Sequence, residues 1–394
     1  MHRLFLHNHN NFYKINFFII PYSLFFIDII IIKRILLQDL NNHNLNRCLE
    51  NLNKSKKTSI FDIFNFKYNI FKKKPEITVI IPIYNCQNTI RLSLASIQNQ
   101  NMTNLEIILI NDCSNDNSST IINKMKNYDN RIKIINNKKN MGTLYSRCIG
   151  VLNAKGKFIF ALDNDDLFLD EDIFEYILNI AEKESYDIVE FKAFTIPNYH
   201  PKINDIKNNF FNFHPNNLIL HQPELSLFPI SRNNKFYPND FSIWGKSIKT
   251  EIYKNAINTL GEKRYSVYNC WTEDISIIFI IFNIANSYIF INKYGIFHIK
   301  SKFTNTFILK KEHKIFAEIY LLDIIIEFLK ENEKYKKYAV YKANDVFNKI
   351  KYSSLSNNNK IFLKSTLKKI MNCKYINKND KIQIVNRFRK FKIW

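Results

Sequence analysis

A regular alternation of strand-like and helix-like apolar segments between residues 77 and 191 constrains the fold of this chain most strongly. The strand-like segments are short and rich in β-branched residues, which is typical of strands buried on both faces. They are 77–81, 105–110, 132–135, 158–162 and 188–191. Between them, apolar residues recur at helical spacing. This alternation predicts βαβ units with right-handed crossovers, and therefore an α/β fold with a mostly parallel sheet.

Polar residues follow the first four of these strands. In a parallel sheet, ligands bind outside the carboxyl ends of the strands, so these residues are the candidates for chemistry. The candidates are, in chain order, Pro82 and Tyr84, then Asp112, then Arg147, and finally the run Asp163-Asn164-Asp165-Asp166. We expect them to meet at one edge of the sheet.

The run after the fourth strand places three carboxylates within four residues. Carboxylates this close repel one another in a region of low dielectric, and a hard divalent cation relieves that repulsion. Mg²⁺ or Mn²⁺ completes its coordination shell with water and phosphate oxygens. A solvated acidic turn before the next helix would have the same composition. The position directly after an apolar strand favours the cation.

Two other strand ends offer recognition groups. Asp112 could accept hydrogen bonds from a nucleobase N–H, and Ser114 is placed to cap the following helix. Arg147 could pair with a phosphate or with the carboxylate cluster, although a surface arginine without a specific partner is the alternative.

The chain is strongly basic, with 57 Lys and Arg against 35 Asp and Glu and a formal net charge of +22. Such a charge fits an anionic partner: nucleotide phosphates, a membrane surface or nucleic acid. An AT-rich coding sequence would produce the same excess of Lys, Asn, Ile and Phe. No helix-turn-helix, zinc or aromatic-platform motif accompanies the charge, so we expect no specific nucleic-acid binding. The six cysteines lack CxxC spacing, which favours reduced thiols.

Residues 1–74 contain an apolar stretch at 15–32 followed by a polar linker. The stretch just reaches the length of a bilayer span, but Asp28 and Pro21 offset its apolar residues. A possible membrane anchor and a segment packed on the body of the protein therefore remain alternatives. No small-residue cleavage site follows, so a secretory signal is not indicated.

Residues 301–394 predict a basic helical region with helices around 311–330, 334–350, 357–372 and 379–390. The first has a clear apolar face. The later helices interleave basic and aromatic residues, which could seat them on anionic lipid. A solvated helical cap is the alternative.

Residues 76–300 resemble glycosyltransferase family 2, whose members are inverting enzymes of the GT-A fold. The matching stretches are EITVIIPIYNCQNTI, IILINDCSNDNSS, NMGTLYSRCIG, AKGKFIFALDNDDLFLDED and WTEDISI. The first four occur in the order and spacing of the family. The resemblance implies a GT-A-type nucleotide-binding sheet flanked by helices over residues 75–300, with a helical C-terminal extension over 301–394.

The resemblance also implies a donor site. Pro82, Tyr84 and Asp112 would hold the uracil or other base of a nucleotide-sugar, most readily a UDP-sugar. Asp163 and Asp165 would form the DxD motif, which contacts the ribose and the diphosphate bridged by Mn²⁺ or Mg²⁺. Arg147 belongs to the same donor-binding set.

On the acceptor side, the resemblance makes Asp274 the general base that deprotonates the acceptor hydroxyl. Glu273 precedes it in the family's acidic pair, and the helix start is expected to keep Asp274 ionised. Asp166 stands beside the DxD motif, and Trp244 lies in a segment common in the acceptor half. His298 follows a strand where some members place a group that contacts the diphosphate.

The chain departs from the family pattern at three positions. Asn111 stands where an acid is common, Cys113 where the family has Gly, and Cys148 where Asn is usual. These departures bear on donor selectivity more than on activity.

We therefore predict an inverting glycosyltransferase that uses a metal-assisted single displacement. A nucleotidyltransferase is the first alternative, but PIYNCQN lacks the Gly-rich phosphate loop expected of one. A catalytically silent nucleotide-sugar-binding protein is the second, and it would be expected to have lost Asp163, Asp165 and Asp274. The acceptor, whether saccharide, lipid or protein, is not specified by the sequence.

A glycosylation sequon, Asn117-Ser118-Ser119, lies in the predicted donor loop. A glycan there would block the pocket, so we expect a cytoplasmic protein or a membrane-associated one with a cytosolic catalytic domain. An ER or Golgi lumenal location stays open as the alternative.

Overall fold

The structure is a computed structural model of the 394-residue chain. It describes residues 3–8, 11–16, 74–196, 218–221, 242–269, 272–299, 311–331, 333, 336–350 and 355–389. The chain divides into two compact units, Met1–Lys67 and Tyr68–Trp394. In the first unit, strands β1 (Arg3–Asn8) and β2 (Asn11–Asn16) pair antiparallel as a hairpin.

The second unit is built on a sheet of nine strands within the described residues. One half of the sheet consists of four parallel strands in the order β5-β4-β3-β6. They are β3 (Ile77–Ile83), β4 (Leu105–Asn111), β5 (Ile132–Asn136) and β6 (Phe158–Ala161). Every residue of β3 and β4 is buried, which explains why their sequences are apolar without alternation.

The other half of the sheet continues from β6 in the order β10-β8-β11-β7, with β9 paired to β11. These strands are β7 (Leu167–Phe168), β8 (Ile188–Ile196), β9 (Ile219–His221), β10 (Lys246–Lys249) and β11 (Ser287–Ile299). The predicted α/β class is confirmed. The sheet is mixed, because β7, β9 and β10 run antiparallel to their neighbours.

Four helices alternate with the strands as predicted: α1 (Ile90–Gln98), α2 (Ser118–Tyr128), α3 (Thr143–Leu152) and α4 (Ile173–Lys183). The predicted cap at Ser114 is wrong, because α2 begins at Ser118 and Asn117 is its N-cap residue. The Ser114 N–H instead donates to Asn111 Oδ1 at 3.1 Å, which closes the turn after β4.

The remaining helices are α5 (Thr250–Leu260), α6 (Glu262–Tyr265), α7 (Glu273–Ile284), α8 (Lys311–Glu331), α9 (Lys336–Ile350), α10 (Asn357–Asn372) and α11 (Lys378–Arg389). The predicted C-terminal helices are therefore confirmed. Among the helices that the structure describes, none has both the length and the apolar character needed to span a bilayer. Most of the apolar stretch at 15–32 and the predicted domain boundary at 300 lie outside the described residues.

Two apolar cores cover the two faces of the sheet. Alternate residues of β3 point to opposite faces, so Ile80 joins one core whereas Val79 and Ile81 join the other. The core around Ile80 includes α3, α5 and α7 together with the C-terminal helices, to which Ile319 of α8 belongs. The C-terminal helical region therefore packs against the same core that positions α7.

Candidate functional site

The carboxyl ends of β3, β4 and β6 meet at one edge of the sheet, as the parallel order predicts. The Asp112 N–H donates to Ile83 O at 2.8 Å, which joins the end of β4 to that of β3. Asn164 Nδ2 donates to Pro82 O at 2.9 Å, which joins the turn after β6 to β3. Pro82 is buried, whereas the Tyr84 side chain beyond it is exposed.

The buried guanidinium of Arg147, on α3, joins two distant parts of the chain. Its Nη2 lies 2.5 Å from Asp163 Oδ1, in the turn after β6. Its Nη1 forms an ion pair with Asp274 Oδ1 and lies 3.6 Å from Glu273 Oε1, at the start of α7. One cation therefore faces three carboxyl groups, and they cannot all be ionised without leaving negative charge unbalanced.

The two acids at the start of α7 differ in their hydrogen bonds and protonation. Asp274 Oδ2 accepts a hydrogen bond from the Ile243 N–H at 3.3 Å, whereas Glu273 Oε2 has no partner within the described residues. Burial raises the pKa of Asp274, although Arg147 opposes the rise. Burial and the neighbouring Asp274 raise the pKa of Glu273 to about 8. At neutral pH, Glu273 therefore holds a proton and Asp274 pairs with Arg147.

The Asp112 carboxylate is buried and shapes the loop that leads into α3. Its Oδ1 accepts hydrogen bonds from Asn137 Nδ2 and the Met141 N–H, each at 2.8 Å. Its Oδ2 accepts one from the Gly142 N–H at 2.8 Å. Gly142 has a φ of 89°, in the left-handed region that favours glycine. Because a carboxylate can accept about four hydrogen bonds, Asp112 keeps capacity for one more donor.

Asp165 is the carboxylate of the turn that has no neutralising partner among the described residues. Within the described part of the chain, no side chain donates a hydrogen bond to it, whereas Asp163 pairs with Arg147. Burial, and then the charges of Asp166 and Asp163, raise the pKa of Asp165 well above its usual range, and His298 only partly opposes them. A cation bound at Asp165 would relieve this repulsion.

Asp166, His298 and Trp244 form a second group of contacting side chains at the same turn. Both carboxylate oxygens of the buried Asp166 lie 3.0 Å from His298 Nδ1. The Trp244 ring stacks on the imidazole with centroids 4.9 Å apart and an interplanar angle of 19°. Burial lowers the pKa of His298, but Asp166 raises it to about 9, so the ring is cationic at neutral pH.

A comparison with protein families identifies the domain that contains the first part of this site. Residues 78–237 match the family described as Glycosyl transferase family 2. The chain carries a family 2 glycosyltransferase domain. The family that the motifs predicted is therefore confirmed.

Curated relatives agree with this assignment. The glycosyltransferase GlyA of Streptococcus pneumoniae is 30% identical over 206 residues, which are 48% of this chain and 27% of that protein. The minor teichoic acid biosynthesis protein GgaA of Bacillus subtilis is 43% identical over 96 residues, which are 23% of this chain and 22% of that protein. The match thus covers about a quarter of the length of each of these two relatives.

A solved structure supports the architecture. The crystal structure of S. aureus TarS residues 1–349 in complex with UDP-GlcNAc aligns with a TM-score of 0.50 and 15% identity, over 80% of this chain and 92% of that one. At this identity the likeness shows the fold, and the predicted GT-A-type arrangement is confirmed.

The predicted site residues thus gather around the turn after β6, and those from Trp244 onward lie beyond the residues that match family 2. Arg147, Asp163, Glu273 and Asp274 form one cluster, and Asp166, Trp244 and His298 form a second. Asp112 follows β4, which is separated from β6 by β3. No group of three or more side chains that could hold a metal ion is assembled within the described residues.

Sequence reasoning assigned no role to three residues that shape this site. Asn164, the middle residue of the DxD motif, ties the turn to β3 through its amide, and Ser93 of α1 donates to its carbonyl at 2.9 Å. Ile243 contributes only its backbone N–H to Asp274. Every residue except proline has a backbone N–H, so no feature of the sequence could have identified Ile243 as the donor.

Proposed function

We propose that this chain is an inverting glycosyltransferase that transfers a sugar from a UDP-linked donor to an acceptor hydroxyl. The observation that carries the proposal is the Arg147 guanidinium, which binds Asp163 at the end of β6 and Asp274 at the start of α7. It holds the predicted donor-binding carboxylate and the predicted general base at one place.

The donor side is supported by the strand ends. Tyr84 presents an exposed ring on which a nucleobase can stack, and Asp112 retains capacity for one further hydrogen bond. The cationic His298 lies beside the turn that ends at Asp166, where it can face a diphosphate. The TarS complex with UDP-GlcNAc supports UDP-GlcNAc as the first donor to test.

A divalent cation fits the chemistry of this turn. Asp165 would hold Mn²⁺ or Mg²⁺, because its carboxylate is a hard oxygen ligand without a competing donor from the described residues. When bound, the ion would neutralise the charge that develops on the leaving diphosphate. Asp166 is engaged by His298, so Asp165 is the ligand that the turn offers.

Asp274 supplies the base of the proposed displacement. The acceptor oxygen bonds to the anomeric carbon while the bond from that carbon to the diphosphate oxygen breaks. The bonding electrons leave with the nucleoside diphosphate, and Asp274 takes the proton of the acceptor hydroxyl. About a quarter of the Asp274 side chain, 24%, is exposed, so an acceptor can reach it.

Release of UDP from a set of UDP-sugars by the purified chain tests the proposal. We expect release with Mn²⁺, loss of release in EDTA, and an increase when an acceptor is added. Asp274→Asn serves as the matched inactive control. Pyrophosphate release from a nucleoside triphosphate and a sugar phosphate would instead identify a nucleotidyltransferase. Tight UDP binding without any turnover would identify a binding protein.

A further inference from the structure

A buried ammonium group lies outside the residues assigned to the reaction. Lys246 begins β10, and its side chain is 0% exposed. Its Nζ lies 2.9 Å from Oε2 of Glu190, the residue that faces it across the β10–β8 pair. The Tyr288 hydroxyl donates to the same Glu190 oxygen at 3.0 Å. The charge of Lys246 is thus compensated within the core.

The same ammonium also binds the chain that precedes β10. Lys246 Nζ donates to Ser242 O at 2.8 Å, at the first described residue of the segment 242–245. We propose that Lys246 is a positioning residue, which anchors the segment 242–245 and thereby fixes Asp274 and Trp244. This inference rests on the proposed function, because it gives Asp274 the role of base.

Every residue of the segment 242–245 has a fixed contact. Ser242 is held by Lys246, and the Ile243 N–H donates to Asp274 Oδ2 at 3.3 Å. Trp244 stacks on His298. Gly245 has a φ of 74°, and its carbonyl accepts the Phe191 N–H at 2.8 Å. If the bond from Lys246 to Ser242 were lost, two contacts would therefore become less well fixed. They are the hydrogen bond from the Ile243 N–H to Asp274 and the stacking of Trp244 on His298.

Stability alone is a weak reason for this buried pair. Removing two charges from water is costly, and replacing a buried ion pair by apolar residues is often neutral or stabilising. The pair fixes geometry instead, because two of the three ammonium donors are directed at defined oxygens. The bond to Ser242 O thereby fixes the position of the segment 242–245, which contacts Asp274.

Lys246 also acts on Asp274 through its charge. The ionisable groups that face Asp274 are Arg147, Asp163, Glu273, Tyr253 and Lys246. Burial raises the pKa of Asp274, and Arg147 and Lys246 both lower it. Loss of the ammonium therefore removes one of the two cations that favour the ionised base.

Lys246→Met tests the proposal, with Lys249→Met as the matched control. Lys249 lies on the same strand and pairs with Asp187 Oδ1 at 2.7 Å, but its second hydrogen bond goes to Ser185 O, away from the segment 242–245. Hydrogen exchange of peptides covering 242–248 and 272–276 is measured without substrate. Thermal unfolding and the release of UDP from UDP-GlcNAc across a pH series complete the comparison.

We expect faster exchange at 242–245 and at the start of α7 in Lys246→Met only. The kcat should fall by roughly tenfold to a hundredfold, because the base is misplaced, and the donor KM should change less than kcat, because Asp112 and Asp163 keep their contacts. The acidic limb of the kcat profile should move to higher pH. Exchange equal to that of Lys249→Met, a retained kcat or an unmoved acidic limb would each overturn the proposal.

Exchange also separates this inference from the proposed function. If the wild-type chain released no UDP from any donor, the proposed function would fail, and exchange at 242–245 and 272–276 would still decide whether Lys246 anchors the segment. Normal UDP release by the wild type together with unchanged exchange in Lys246→Met would retain the function and reject the positioning role.

Discussion

Asp163 and Asp274 bind the same guanidinium, that of Arg147, from two distant parts of the chain. A buried cation that loses its only partner destabilises a protein strongly, but here each acid leaves the other in place. Either acid can therefore be neutralised while Arg147 keeps a carboxylate partner. Variants in which one of these two acids is replaced by its neutral amide should therefore remain folded. A change in their activity then measures the effect on the reaction rather than on folding.

Asp274→Asn should lower kcat by roughly two to four orders of magnitude, because the amide cannot accept the acceptor proton. The affinity for UDP should stay near that of the wild type, since Asp163 keeps its bond to Arg147. Calorimetric titration with UDP and turnover with UDP-GlcNAc measure the two effects. A variant that loses UDP binding but keeps its kcat would place Asp274 in the donor site instead.

Glu273→Gln is the matched control for that experiment. The pKa of Glu273 is raised to about 8 by burial and by Asp274, so its carboxyl is protonated at neutral pH and the amide imitates that form. Turnover at pH 7 should therefore stay within roughly threefold of the wild type. A loss as large as that of Asp274→Asn would assign the base to Glu273.

Glu273 should also make stability depend on pH. Its folded pKa of about 8 lies above the usual value of 4.5, so the stability that it contributes is fully present below 4.5 and is lost as pH rises through 8. Glu273→Gln removes that loss, and above about pH 8 it should be more stable than the wild type by ~1–3 kcal/mol. Thermal unfolding across the pH range measures this, with the exposed Glu175→Gln as a control that should not differ.

Asp165→Ala should abolish activity that depends on Mn²⁺ and leave the fold intact. Asp165 is a site of repulsion, as the raised pKa of its carboxyl shows, so its removal should raise the unfolding temperature slightly or leave it unchanged. In the wild type, Mn²⁺ added with UDP should raise the unfolding temperature further through binding. The variant should lose that increment.

Asp170→Asn is the control for the metal prediction, because Asp170 lies beyond the turn and pairs with Lys293 Nζ at 3.1 Å. It should keep both the Mn²⁺ increment and the turnover. Full turnover of the wild type in EDTA, or of Asp165→Ala in Mn²⁺, would contradict the assignment of the metal to Asp165.

The parallel half of the fold was predictable because it depends on local signals. Buried strands such as β3 are continuous apolar runs, and helices between them repeat apolar residues at helical spacing. The antiparallel β10 was not predictable, because its four residues include Lys246 and Lys249. Both lysines are paired with acids from other elements, so their burial depends on tertiary contacts that the sequence does not reveal.

The site was predictable where its residues are chemically distinctive, as with Asp163 and Asp274. Their link through Arg147 depends on α3 and α7 meeting in space, which no local pattern encodes. The protonation of the acids at the start of α7 was missed for the same reason. The helix dipole was expected to keep Asp274 ionised, whereas burial raises its pKa and the Arg147 charge opposes that rise.

Cys113→Gly should stabilise the protein, because Cys113 occupies a backbone conformation that suits glycine. Its φ is 62°, in the left-handed region, where a side chain costs about 1–2 kcal/mol. Glycine removes that strain but adds freedom to the unfolded chain, so the net gain should be ~0.5–1 kcal/mol. Chemical unfolding of the wild type, Cys113→Gly and Cys113→Ala measures it. The alanine variant loses the thiol but keeps Cβ, so it should show no gain. Equal gains in both variants would trace the effect to the thiol and reject the backbone explanation.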